Sequence, residues 1–154
     1  MMETAQIAHL VEVSIKIVLA VILSGLIGLE REFRQKGAGL RTHILVGVGS
    51  ALIVLTSLHL FETYKNDTIV DPTRMITGIV TGIGFLCAGT IIRAGANVRG
   101  LTTAATLWIV SGLGVAIGAG DYMSAIVVTV VVSFVLIVVR SFEVKLGEKF
   151  KGLL

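Results

Sequence analysis

The chain has 154 residues, of which 55% are hydrophobic and 15% charged, with a net charge of +3. Soluble domains carry about 25% charged residues, and the mean hydropathy here is +0.95, so lipid is the solvent for most side chains. That balance excludes an ordinary soluble domain, and no nucleic-acid partner is expected. Proline occurs once, at Pro72, against 18 glycines, which suits long helices packed through small residues.

A membrane-spanning helix needs about 20 mostly apolar residues. Five stretches qualify: Ile7–Leu29, Thr42–Phe61, Met75–Ile92, Leu101–Ala119 and Tyr122–Val139. The expected fold class is therefore all-α, an integral membrane bundle of about five transmembrane helices. Lys and Arg set its orientation. Arg31, Arg34, Lys36 and Arg41 lie in the first loop, Arg93 and Arg99 in the third, and Arg140, Lys145, Lys149 and Lys151 in the tail. With five spans these ten share one side, against Lys65 and Arg74 on the other. The N-terminus is thus expected outside and the C-terminus in the cytoplasm, with residues 1–140 forming the transmembrane domain and 141–154 a short basic tail.

Small residues recur at i, i+4. Helix one has Ala20, Ser24 and Gly28, helix three Gly78 and Gly82, and helix four Gly114 and Gly118. Such stripes let backbones approach in lipid, either within one subunit or across a homodimer. Trp108 sits inside helix four, away from the interfacial belt, and is read as a packing residue. Cys87 is a lone cysteine in an apolar run, a packing residue with no disulfide partner.

Charges within spans default to functional candidates. Glu12 and Lys16, four apart on helix one, share a face and can neutralise each other; a role in an ion path is the alternative. A denser cluster gathers at the cytoplasmic end: Glu30 and Arg31 end helix one, Arg41, Thr42 and His43 open helix two, Arg93 ends helix three, and Arg99, Thr102 and Thr103 flank the start of helix four. The N-termini of helices two and four favour anions, so a headgroup, a phosphate or an acidic segment can dock there. The plainer alternative has the arginines reaching lipid phosphates and pairing with Glu30 and Glu32.

Magnesium wants convergent oxygen donors. Asp67 and Asp71 in the outer loop are weak candidates, with Arg74 nearby; the spans hold no second carboxylate beside Glu12. No cofactor is expected, Mg²⁺ being the one ion in view. The chain lacks a P-loop, a nucleophile elbow and an H-E-x-x-H pattern, so it is not read as an enzyme.

Several of these segments belong together. Gly25-Leu26-Ile27-Gly28-Leu29-Glu30-Arg31 followed by Ala38-Gly39-Leu40-Arg41-Thr42-His43, then Gly82-Ile83-Gly84-Phe85-Leu86-Cys87-Ala88-Gly89, then Val98-Arg99-Gly100-Leu101-Thr102-Thr103-Ala104-Ala105-Thr106-Leu107-Trp108, resemble in order the signatures of the MgtC/SapB family. Within the second stretch Gly84 and Gly89 are read as packing positions, and Cys87 stands where the family usually has glycine. The resemblance implies an inner-membrane protein linked to growth in low magnesium and, in pathogens, to survival inside host cells. It implies a small regulator acting on partners such as the proton-translocating ATP synthase and on phosphate uptake; an oligomeric transporter or channel for Mg²⁺ is the alternative. Many relatives carry a soluble C-terminal regulatory domain; functions attached to it are not expected here. Glu30, Arg31, Arg41, Thr42, Arg93 and Thr103 are the expected functional core, with Asp71 and Arg74 next.

Overall fold

The computed structural model of the protein describes residues 2–66, 69, 71–139 and 142. Asp67, Arg140 and the basic tail over 141–154, Phe142 apart, lie outside the described residues. Five helices carry the fold: α1 (Met2–Phe33), α2 (Leu40–Tyr64), α3 (Thr73–Thr90), α4 (Leu101–Ala119) and α5 (Tyr122–Phe134), the last continued by one π-helical turn over Val135–Val139. All five are long and apolar enough to cross a membrane. Helices are the expected solution there, because backbone N–H and C=O groups in lipid must be satisfied within the segment. The chain is a multi-pass membrane protein.

α4 is the central helix, touching the other four. Of its spanning window 56% is buried, against 11% for α3. Ala20, Leu23 and Ile27 of α1, Ala51 of α2, Val110, Leu113 and Ile117 of α4 and Ala125 of α5 form the main core. Glycine decides how closely these helices approach. A Cβ at Gly28 would come within 2.9 Å of Leu40 Cα, one at Gly114 would overlap the Gly47 carbonyl oxygen, and one at Gly118 would sit 2.8 Å from Val54 Cβ.

The other expected packing glycines differ. Gly78, Gly82, Gly84 and Gly89 on α3 have nothing within 4 Å of an added Cβ. The reason is the position of α3, which leans on α4 through Ile83 and Cys87 against Ala104 and Leu107 and leaves its small residues on an open flank. Cys87 does pack, its Sγ 3.2 Å from the Ala104 carbonyl. Trp108 is not a packing residue: its side chain is 54% exposed on the outer face of α4. Thr77 and Thr81 on α3 donate to the carbonyls four residues back, at 3.3 and 2.9 Å, which lets hydroxyls face lipid.

Helix three also stops earlier than the hydropathy suggests. It ends at Thr90, and Ile92–Ala94 (β1) pairs antiparallel with Asn97–Arg99 (β2) in a two-stranded hairpin. Gly95, at φ +63°, takes the first of the two turn positions, where glycine relieves the left-handed backbone. Arg93 therefore lies on a hairpin strand and does not end a helix. Gly100 closes the hairpin onto α4 at φ +91°; an added Cβ there would overlap the Thr90 carbonyl oxygen, so both backbone angle and space demand glycine.

Candidate functional site

The ends of α1, α3 and α5 and the starts of α2 and α4 meet at one end of the bundle, the end that carries the first-loop and hairpin arginines. α1 leaves through a Schellman turn: Lys36 N–H donates to the Arg31 carbonyl at 3.0 Å and Gln35 N–H to the Glu32 carbonyl at 2.9 Å. Gln35 holds the left-handed position at φ +51°. The turn brings Lys36 back over Arg31.

Arg31 is 3% exposed, and its Nη1 lies 3.5 Å from Glu30 Oε2. The other Glu30 oxygen is 3.3 Å from Arg34 Nε, so one half-buried carboxylate serves two guanidinium groups. Glu32 is committed elsewhere: its Oε2 accepts the Leu40 N–H at 3.0 Å. The N-terminus of α2, expected to be open to anions, thus holds a carboxylate of the chain itself.

His43 lies fully buried one turn into α2. Its Nδ1 is 2.8 Å from the Gly39 carbonyl. A carbonyl only accepts, so Nδ1 carries the proton. Nε2 is 3.2 Å from Thr106 Oγ1 on α4. Thr103, one turn back on the same face of α4, is 4% exposed.

The sequence cluster is therefore split in two. Arg31, His43 and Thr103 form a buried inner group, with Glu30 half-buried beside it; Arg41, Thr42, Arg93, Arg99 and Thr102 are exposed around it. Among the described residues Arg93 Nε reaches only the Gly95 carbonyl of its own turn, at 3.3 Å. Between these groups lies a cavity of about 530 Å³, lined by Arg31, Lys36, Gly100, Thr102 and Thr103 with Leu136 and its neighbours on the π-helical turn behind. Lys36, Thr106 and the π-helical turn were not singled out in the sequence. Thr106 had a signal, standing three residues after Thr103 on one helical face; the turn of α5 had none.

The other candidates lie apart. Lys16, 6% exposed, is 2.7 Å from Glu12, so the intramembrane pair forms. Asp71 starts α3, its Oδ1 accepting both the N–H and the hydroxyl of Thr73, at 2.9 and 2.7 Å. These bonds hold its carboxyl below the usual carboxylate range. Arg74 is exposed beside it. Among the described residues no group of three or more His, Cys, Asp or Glu side chains converges on a metal-sized space.

The MgtC family model matches residues 17–145. The chain is 42% identical over 140 residues to the Escherichia coli protein named "Putative magnesium transporter YhiD", covering 90% of this chain and 65% of that one. It is 42% identical over 134 residues to Protein MgtC of Salmonella typhimurium, covering 87% and 55%, and 51% identical over 111 residues to Protein MgtC of Brucella abortus, covering 72% and 44%. The chain thus spans between less than half and about two thirds of the length of these relatives. No solved structure matches it. The matched residues take in the close α1–α2 contact at Gly28, the hairpin and the start of α4, and the chain belongs to the MgtC family.

Proposed function

We propose that this chain is a non-enzymatic protein of magnesium homeostasis in the cytoplasmic (inner) membrane, its basic end facing the cytoplasm. It works as a regulator, through contact with other membrane proteins. The observation that carries this reading is the open flank of α3. A groove of about 590 Å³ runs between α3 and α2, lined by Leu45, Gly49, Ile53, Gly78, Gly82 and Leu86. Glycines with nothing within 4 Å let a further helix approach backbone to backbone. In contrast α1, α2 and α4 close on one another at Gly28, Gly47, Gly114 and Gly118, which supports a contact protein over an ion path through one subunit. The occupant of the flank is a second copy of the chain or a helix of another membrane protein, the ATP synthase among them.

The second reading is an ion transporter, the activity in the name of the Escherichia coli relative. The buried Lys16 ammonium and its Glu12 partner favour it, as charges inside a span.

Magnesium flux into proteoliposomes holding only the purified chain separates the two. The contact reading expects no saturable flux above empty vesicles. Saturable flux lost in Glu12→Gln overturns it. Gly82→Ile is expected to abolish complementation of growth at low magnesium at an unchanged protein level; full complementation removes the α3 flank from the function.

A further inference from the structure

We propose that His9 and His59 form a two-histidine site for a divalent transition-metal ion, Zn²⁺ first among them, at the end of the bundle opposite the basic cluster. His9 lies near the start of α1 and His59 near the end of α2. Their ring centroids are 6.5 Å apart, with the ring planes inclined at 32°. A tetrahedral ion holding one nitrogen of each ring at about 2.0–2.1 Å needs centroids about 5–5.5 Å apart. The rings must therefore close by about 1 Å, which rotations about χ1 and χ2 of two exposed side chains supply.

Neither ring is held by a hydrogen bond among the described residues, so each neutral imidazole has a nitrogen lone pair to give. The third histidine of the chain is the contrast. His43 is buried, and both its nitrogens are engaged, by Gly39 and by Thr106.

The sequence around the pair repeats. His9-Leu10-Val11-Glu12 on α1 is matched by His59-Leu60-Phe61-Glu62 on α2. Residues three apart share a helix face, so each histidine has a carboxylate one turn away. The two helices run in opposite directions, which puts Glu12 on one side of the pair and Glu62 on the other. Each carboxylate holds a lysine through one oxygen, Lys16 at 2.7 Å and Lys65 at 2.6 Å. The second oxygen can accept from a metal-bound water, the usual outer-shell role. The ligand set is thus two imidazoles completed by water.

That set chooses the ion. Imidazole suits zinc, nickel and copper, whereas Mg²⁺ takes oxygen ligands in a strict octahedron. A bound ion clips α1 to α2 at the end far from their close contact at Gly28, and so stabilises the folded chain. The inference goes beyond the proposed function, since it concerns another ion and the other end of the bundle and holds whether the chain regulates or transports.

The test uses the full chain, free of any affinity tag and stripped with a chelator, in neutral detergent. Zn²⁺ is titrated calorimetrically, with and without an excess of Mg²⁺, and the thermal midpoint is read at each end of the titration. The expected result is one saturable equivalent of Zn²⁺ that excess Mg²⁺ does not displace. Its affinity falls at least about tenfold in His9→Gln and equally in His59→Gln, and Zn²⁺ raises the midpoint of the wild type more than that of either variant. Absence of a saturable equivalent overturns the proposal. So does wild-type affinity in either single variant with helix content intact, because one histidine then suffices. Displacement of Zn²⁺ by Mg²⁺ overturns it as well, since the site is then built of oxygen.

Discussion

His43 and Thr106 lie 63 residues apart in the chain and meet at 3.2 Å inside the bundle. Nδ1 donates to the Gly39 carbonyl, and the single proton of the Thr106 hydroxyl has two acceptors in reach, the Thr103 carbonyl at 2.9 Å and His43 Nε2. The pair ties the start of α2 to α4 between two buried side chains. His43→Ala leaves the Gly39 carbonyl and Thr106 hydroxyl without this partner, at an expected cost of about 1–3 kcal/mol. Thr106→Val should cost about 1 kcal/mol. Unfolding by SDS titration, read by circular dichroism, gives both values. The double-mutant cycle should show a coupling of about 0.5 kcal/mol or more; strict additivity would mean the contact carries no energy.

Glycine contacts predict an asymmetry between two helices with similar small-residue spacing. At Gly114 the obstacle to a Cβ is the Gly47 carbonyl, and Ser50 Cβ is 2.7 Å away. Backbone cannot swing aside as a side chain can, so Gly114→Ala must push α2 and α4 apart, at about 1–3 kcal/mol. Gly82→Ala meets open space and should change the same unfolding midpoint by less than about 0.5 kcal/mol. Equal effects at the two sites would contradict the placement of α3.

The sequence announced the five spans because apolar runs of spanning length leave little choice of structure. Helix α4 was legible to the residue, since Gly100 and Gly120, both in the left-handed region, bound it. The hairpin was not, because three-residue strands carry almost no periodicity, and Gly95 was the sole turn signal. Nor could spacing tell the stripe at Gly114 and Gly118, which packs, from the stripe at Gly78 and Gly82, which does not. That difference depends on where α3 sits relative to α2, a tertiary fact. Of the cytoplasmic cluster, the residue types and the end of the bundle were legible. The division into buried Arg31, His43 and Thr103 and exposed Arg41, Thr42, Arg93 and Arg99 was not, because helical phase at a helix end depends on the turn that precedes it.

The Schellman turn after α1 gives a stabilising prediction. Gln35 at φ +51° occupies a position that L-residues adopt at a cost of about 1–2 kcal/mol. Gln35→Gly removes that strain but adds freedom to the unfolded chain, worth about 0.5–1 kcal/mol in the other direction. The net gain expected in the SDS unfolding midpoint is about 0.5 kcal/mol, with the Lys36-to-Arg31 bond kept. A loss of stability would show that the Gln35 side chain makes a contribution larger than its backbone strain.

The two capping aspartates predict an acid limb in stability. Asp121 accepts the Ser124 N–H at 3.1 Å at the start of α5, and this bond, side-chain component first, lowers its pKa from the ordinary 3.8. Asp71 is lowered in the same direction by Thr73. A carboxyl with a depressed folded pKa binds its proton more readily in the unfolded chain. Its contribution is therefore complete above the unfolded value and is lost as pH falls through the folded one. The thermal midpoint in detergent should be flat above about pH 5 and decline in acid below the unfolded pKa. Asp121→Asn keeps the acceptor oxygen without the titrating charge, so its acid limb should be shallower than that of the wild type, and shallower again with Asp71→Asn added. An acid limb of identical slope in all three proteins would place the titrating groups elsewhere in the chain.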